Sequence, residues 1–323
     1  ASTAASQASG ALEVTALTHT APGKTPAPRR FPFVSGLDAS VAARINNLLF
    51  IDTFEVPAPA RASDGLREVS AAMWQQRPEI DFKVQRNDGR IFSVTFATEG
   101  CGAYCESYNT AYAFDAASGR HLGLEDLFSA AGQAALAKEI KTASLAAIKA
   151  EIGRLKSEGT KGGASAQGLS AQERAAAIQM YEECAQQRQS PDYEASGLGT
   201  LQIQAQAVTL ATGRCSNHAM RALDALGEFS ASFSPEQFKP WLSDYGRHLL
   251  LGEASSAAAP ASPWGQVLRG QIGGKLPVTM ALGFVRSDGS VNAQYFYDRH
   301  RKPIAVFGNF QSAQNGDVQL AAS

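Results

Sequence analysis

No run of about 18 apolar residues occurs anywhere in the 323-residue chain, so no segment reads as a membrane-spanning helix. Charge is sparse and balanced. Lys plus Arg number 29 and Asp plus Glu 30, for a net charge of −1. That balance excludes a general nucleic-acid binder, which needs a basic surface to displace counterions. Histidine is scarce too, and His19, His121, His218, His248 and His300 form no helical i,i+4 pair. Walker, GxSxG and HExxH patterns are all missing. The chain therefore shows no catalytic constellation, and it implies neither a cofactor nor a metal.

The four cysteines are Cys101, Cys105, Cys184 and Cys215. Cys101-x-x-x-Cys105 has a spacing zinc could use, but the other two offer only the Cys215/His218 pair as further ligands. The same pair invites a thiol-protease reading, with Cys215 as nucleophile and His218 as base. Such partners are usually brought together from distant segments, and no local elbow is signalled here. Disulfides are the expected use, Cys101 with Cys105 and Cys184 with Cys215, although four cysteines admit three connectivities. The opening ASTAASQASG is small and polar, with neither a Met nor an apolar core. It reads as the mature end of an exported protein, or as the spacer behind a lipid-bearing residue. The expected location is periplasmic or attached to the outer membrane.

Local patterning predicts an α+β architecture: an antiparallel sheet with helices packed on one face, followed by a C-terminal all-β meander. Residues 1–10 form a disordered spacer and 11–251 the α+β domain; 252–263 form a linker and 264–323 a small antiparallel module. Leu12–Leu17 alternates as a first strand. Asp38 caps a helix with Val41, Ile45, Leu48 and Leu49 on one face. A second helix is expected over 64–76. Ile80–Val84 and Ile91–Phe96 flank Asn87-Asp88-Gly89, a hairpin signal. Tyr112 and Phe114 lead into the Asp115–Gly119 turn, with His121–Leu124 as the return strand. Helices follow over 130–155 and, from the Ser170–Glu173 capping box, to about Arg188. The glycine-rich 159–168 is a loop between them. Leu201–Ala207 alternates as a strand with Gln202, Gln204 and Gln206 on its wet side, and Ser234–Gln237 caps one more helix. Beyond the linker, strands are expected at 267–272, 276–284, 291–297, 303–310 and 318–320, the second and third joined through Ser287-Asp288-Gly289.

Three stretches carry a resemblance. They are Phe31-Pro-Phe33 with Ile45-Asn-Asn-Leu48; Cys101-Gly-Ala-Tyr104; and Phe114-Asp-Ala-Ala-Ser-Gly-Arg-His-Leu-Gly-Leu124 with its acidic pair and Leu127-Phe128. Together they resemble an extracytoplasmic domain of unknown function, found in lysozyme-sensing anti-sigma factors of the RsiV type and beside peptidoglycan deacetylases of the PdaC type. The likeness runs over roughly residues 10 to 250. Where that family has Gly-Gly-Ala-His, this chain keeps Gly102-Ala103 and places Cys101 and Tyr104 on either side. The C-terminal module, with Tyr295-Phe-Tyr297-Asp298, is similar to a repeat seen in uncharacterised proteobacterial envelope proteins. The resemblance implies a non-catalytic envelope protein that binds peptidoglycan or a lysozyme-like muramidase. Tyr104, Glu106 and Tyr108 are the first candidate contacts, because tyrosines and acids on a bridged loop suit sugars or a basic protein surface. Arg299, His300 and Arg301 are the second, for anionic polymers or headgroups. The alternatives are a scaffold protein using the C-terminal module and a hydrolase acting on wall material.

Overall fold

The computed structural model of the chain describes residues 10–20, 29–36, 38–101, 105–160, 169–190, 198–255, 257–286, 289–309 and 320–322. Most of the N-terminal spacer lies outside them, as do the stretches 21–28 and 161–168, Tyr104, and the turn residues Ser287 and Asp288.

In chain order the elements are β1 (Glu13–Thr18), β2 (Arg30–Ser35), α1 (Ala39–Phe54), α2 (Ala71–Gln76), β3 (Glu79–Asn87), β4 (Ile91–Cys101), β5 (Cys105–Asp115) and α3 (Leu124–Leu127). Next come α4 (Ala130–Thr160), α5 (Ala171–Gln189), β6 (Leu198–Ile203), β7 (Val208–Thr212), β8 (Phe229–Phe233), α6 (Pro235–Phe238) and α7 (Asp244–Leu251). The meander follows: β9 (Val267–Ile272), β10 (Leu276–Leu282), β11 (Ser290–Tyr297), β12 (Ile304–Asn309) and β13 (Leu320–Ala322). Two compact units result. The first holds residues 1–127, 202–205 and 244–323; the second holds 128–201 and 206–243.

In the first unit β3, β4 and β5 form one antiparallel sheet. Its even-numbered face presents Ile80, Phe92, Val94, Phe96, Tyr112 and Phe114 to the core, together with Ile45, Leu49, Phe50 and Phe54 of α1. Asp38 caps α1, its Oδ1 accepting from the Ser40 and Val41 amides at 2.7 and 3.3 Å. The buried Asn46-Asn47 pair replaces missing backbone partners. Asn46 exchanges two 2.8 Å hydrogen bonds with the Val34 backbone of β2, and Asn47 accepts from the Ala58 amide at 3.0 Å. This explains why a helix facing a core keeps two amides.

The β3–β4 turn follows the sequence. Asp88 Oδ1 accepts from the Arg90 and Ile91 amides, and Gly89 takes φ 81°. The Asp115–Gly119 turn does too: Asp115 accepts from the Ala117 amide and the Ser118 hydroxyl, and Gly119 has φ 71°. β9 to β13 form a five-stranded antiparallel meander. One of its faces buries Val267 in the core shared with α1; the other builds a small cluster from Leu282, Val291, Ala293 and Val306.

In the second unit α4 and α5 pack together over Ile148, Leu155, Ala177, Met180 and Tyr181, with Phe229 of β8 closing the cluster. The Ser170 capping box starts α5 as expected. Arg188 is buried under Phe229, its guanidinium carbon 4.4 Å from the ring centroid, and donates to Ser144 Oγ and the Gly213 carbonyl.

Three local expectations are corrected. The helix over 64–76 is a 3-10 turn at Ala62–Asp64 plus the short α2, because Gly65 takes φ 63° and Ser70 caps a new start. Leu66 and Val69 between them are buried all the same. The return strand at 121–124 shrinks to one bridge, His121 to Phe114; Asp126 Oδ2 draws in the Gly123 amide at 2.9 Å and turns the chain into α3. The alternating 201–207 run stops being a strand at Ile203, and strand resumes at Val208. The Gln-Ala alternation thus conceals a turn with no Gly or Pro to mark it.

Candidate functional site

Both expected disulfides are formed, Cys101–Cys105 and Cys184–Cys215. Cys101 and Cys105 face each other in register where β4 turns into β5, so their bridge clamps the end of the sheet. Glu99 Oε lies close to the two sulfurs, the one described grouping with metal-ligand character. Sulfurs bonded to each other are not thiolates, so that grouping offers no thiolate ligands as it stands. The Cys215 thiol likewise belongs to its bridge, and His218 is exposed on a 3-10 turn. The thiol-protease arrangement is therefore not assembled.

The clamped end is acidic. The register places Glu79 of β3 directly opposite Glu99 of β4, with Ser107 of β5 next in the row. Carboxylates directly opposite on one face repel. Asp81 follows on the same face, where Arg30 answers it at 3.4 Å. Among the described residues, neither Glu79 nor Glu99 has a cationic partner within ion-pair distance. Glu106 stands opposite Gly100 and points to the other face, so the end is acidic on both sides. Tyr108 lies on that second face. Its ring packs over Gly100, where an added Cβ would stand 2.8 Å from Cε1, and its hydroxyl accepts from Arg77 Nε at 3.3 Å. Arg77 also donates to the Thr53 carbonyl, so Tyr108 is tied to the end of α1. Tyr104 lies outside the described residues.

The second candidate cluster divides. Arg299 and His300 are exposed on the β11–β12 turn. Arg301, with φ 53°, folds back: its Nε meets Glu68 at 2.7 Å and its Nη2 donates to the Pro57 and Ala58 carbonyls at 2.9 and 3.0 Å. It anchors the turn to the loop after α1.

A polar cluster that the sequence did not reveal surrounds His121. Its imidazole lies between Tyr112, Phe114 and Phe284, with ring centroids at 5.7, 5.4 and 5.0 Å. Its backbone exchanges hydrogen bonds with the Gln266 side chain at 3.2 and 2.9 Å. Burial pushes the imidazole down to about 4, against the opposing pull of Asp52, the Gly265 carbonyl and Asp126. Tyr112 donates its hydroxyl to Asp52, and burial together with that carboxylate pushes the phenol well above its ordinary value. A neutral imidazole with its backbone locked to Gln266 joins β5 to the start of the meander. The residues that carried the family likeness are similarly structural. Asp115 accepts from the Tyr245 hydroxyl at 2.8 Å, and buried Arg120 pairs with buried Asp126 at 2.8 Å while donating to the Ser262 carbonyl.

No described helix is long and apolar enough to cross a membrane. No family model matches the chain, and neither does any curated protein. Among solved structures, the chain is similar to a DUF3298-family protein from Bacteroides fragilis NCTC 9343, at 11% identity over 76% of this chain and 100% of that one, with a TM-score of 0.43. A DUF3298-family protein from Pseudomonas aeruginosa PAO1 is also similar, at 11% identity over 72% of this chain and 94% of that one, with a TM-score of 0.36. Both of these solved structures are described as DUF3298-family proteins.

Proposed function

We propose that the protein is an exported, non-catalytic cell-envelope component that recognises a basic protein partner of the lysozyme-like muramidase type through the clamped end of the β3–β5 sheet. The observation that carries this reading is the unneutralised Glu79–Glu99 pair, set in register across two strands beside the Cys101–Cys105 bridge and Glu106. Two like charges opposite each other work against the fold by roughly 0.2–1 kcal/mol. A cationic partner would convert that cost into complementarity. The bridge supplies rigidity, so little ordering is needed on binding. Two disulfides in one chain support an oxidising, extracytoplasmic compartment. Charge also favours a basic protein over peptidoglycan, whose peptide carboxylates would meet this end with the same sign.

The test is retention of the purified protein on immobilised lysozyme and, separately, on insoluble peptidoglycan. Retention on lysozyme that weakens as salt shortens the screening length is expected. Glu79→Gln with Glu99→Gln should weaken it about tenfold, while the urea midpoint holds or rises. Retention on peptidoglycan alone, or binding that ignores both substitutions, would refute the proposal.

A further inference from the structure

The opposite sign of charge gathers at one end of the C-terminal meander. Gly273 and Gly274, with φ 60° and 69°, make the tight turn between β9 and β10. The Lys275 amide donates to the Ile272 carbonyl at 3.3 Å and closes that turn. The register pairs Ile272 with Leu276 and Leu268 with Met280, which puts Leu268, Ile272 and Leu276 on one face of this hairpin. All three are exposed, at 39, 43 and 52%. The face continues inward through Val278, Met280 and the Tyr295–Tyr297 pair.

Antiparallel order brings the β11–β12 turn to the same end, and the Asp298 amide donates to the Pro277 carbonyl at 3.0 Å. Arg299 and Lys302 of that turn are exposed, as are Arg269 and Lys275 of the hairpin. None of these four cations has an acidic partner among the described residues. The acid in the turn, Asp298, is engaged by Thr279 Oγ1 at 2.8 Å. The nearby Glu68 is taken by Arg301.

We propose that this end of the meander docks on an anionic bilayer, with Leu268, Ile272 and Leu276 entering the boundary between headgroups and acyl chains and Arg269, Lys275, Arg299 and Lys302 held at phosphate level. Exposed aliphatic chains at a hairpin tip, flanked by cations that have no acidic partner among the described residues, match such an interface. A second copy of the chain is a poorer occupant, because a two-fold contact would set these cations against themselves. The basic partner proposed for the other sheet would be repelled here, so the two surfaces serve different ligands.

Co-sedimentation of the full chain with phosphatidylcholine vesicles, and with vesicles that also contain phosphatidylglycerol, tests this. Pelleting is expected with the anionic vesicles only. Each cation neutralised should lower the partition about fivefold, so Lys275→Gln with Arg299→Gln should lower it about 25-fold. Ile272→Ser with Leu276→Ser should lower it about tenfold or more, an effect that persists in high salt. Arg269→Gln with Lys302→Gln provides a second charge variant, and each variant's urea midpoint is compared with the wild type. Equal pelleting with both vesicles, pelleting with neither, or wild-type pelleting by folded charge variants would overturn the proposal. So would a concentration-dependent dimer that Leu276→Ser dissolves.

Discussion

Lowering the pH from about 7.5 to about 5 should weaken the first unit through His121. Its imidazole is held neutral by burial among Tyr112, Phe114 and Phe284, with a pKa near 4 against an ordinary 6.5. The unfolded chain therefore binds a proton at pH values where the folded chain does not. Stability from this residue is complete above about 6.5, falls as the pH drops, and is fully lost below about 4. The whole difference corresponds to about 3 kcal/mol, of which about 2 kcal/mol would be gone at pH 5. Asp52 and Asp126 oppose the shift and Arg120 assists it, so the net effect belongs to this pocket as a whole. His121→Gln removes the titration and keeps an N–H donor in the pocket. The assay is urea unfolding of both proteins at the two pH values, followed by tryptophan fluorescence, since Trp74 and Trp264 both lie in this unit. Wild type should lose about 2 kcal/mol more than His121→Gln over the interval. Equal losses, or an NMR titration of His121 near its ordinary value, would refute the reasoning.

The two disulfides should differ in worth. Cys184–Cys215 closes a sequence separation of 31 and Cys101–Cys105 one of only 4. On loop entropy, Cys184→Ser with Cys215→Ser should cost about 3–4 kcal/mol, and the Cys101/Cys105 pair about 2 kcal/mol, read as urea midpoints. Asp126→Asn should be severe. It leaves buried Arg120 without its counter-charge, an expected loss of about 3–5 kcal/mol; a thermal midpoint within a degree or two of wild type would contradict the pairing.

What could be read without coordinates was short-range. The α1 stripe is written in its i, i+3 and i+4 spacing, because one helix face must meet the core wherever that core is. The Asp88-Gly89 and Asp115–Gly119 turns need a local acceptor and a positive φ, both of which are residue properties. The Cys101–Cys105 bridge spans a single hairpin end, and the strands of the meander are separated by turns that name themselves. The expectations failed where a break inside a segment overrode its apolar pattern. Gly65 and Ser70 break the helix over 64–76, and the Gln-Ala run hides a turn.

Composition and spacing by themselves determined that the chain is α+β, carries disulfides and ends in an antiparallel meander. Tertiary structure alone decided the surfaces. Strand register set Glu79 against Glu99 and brought the β9–β10 tip beside the 298–303 turn. Packing by Phe284 completed the pocket that Tyr112 and Phe114 form around His121, and Glu68 with two carbonyls tied Arg301 down. The physical reason is range. Hydrogen-bonded turns and amphipathic faces are properties of neighbouring residues, whereas the field and the desolvation at a side chain are set by groups far away along the chain.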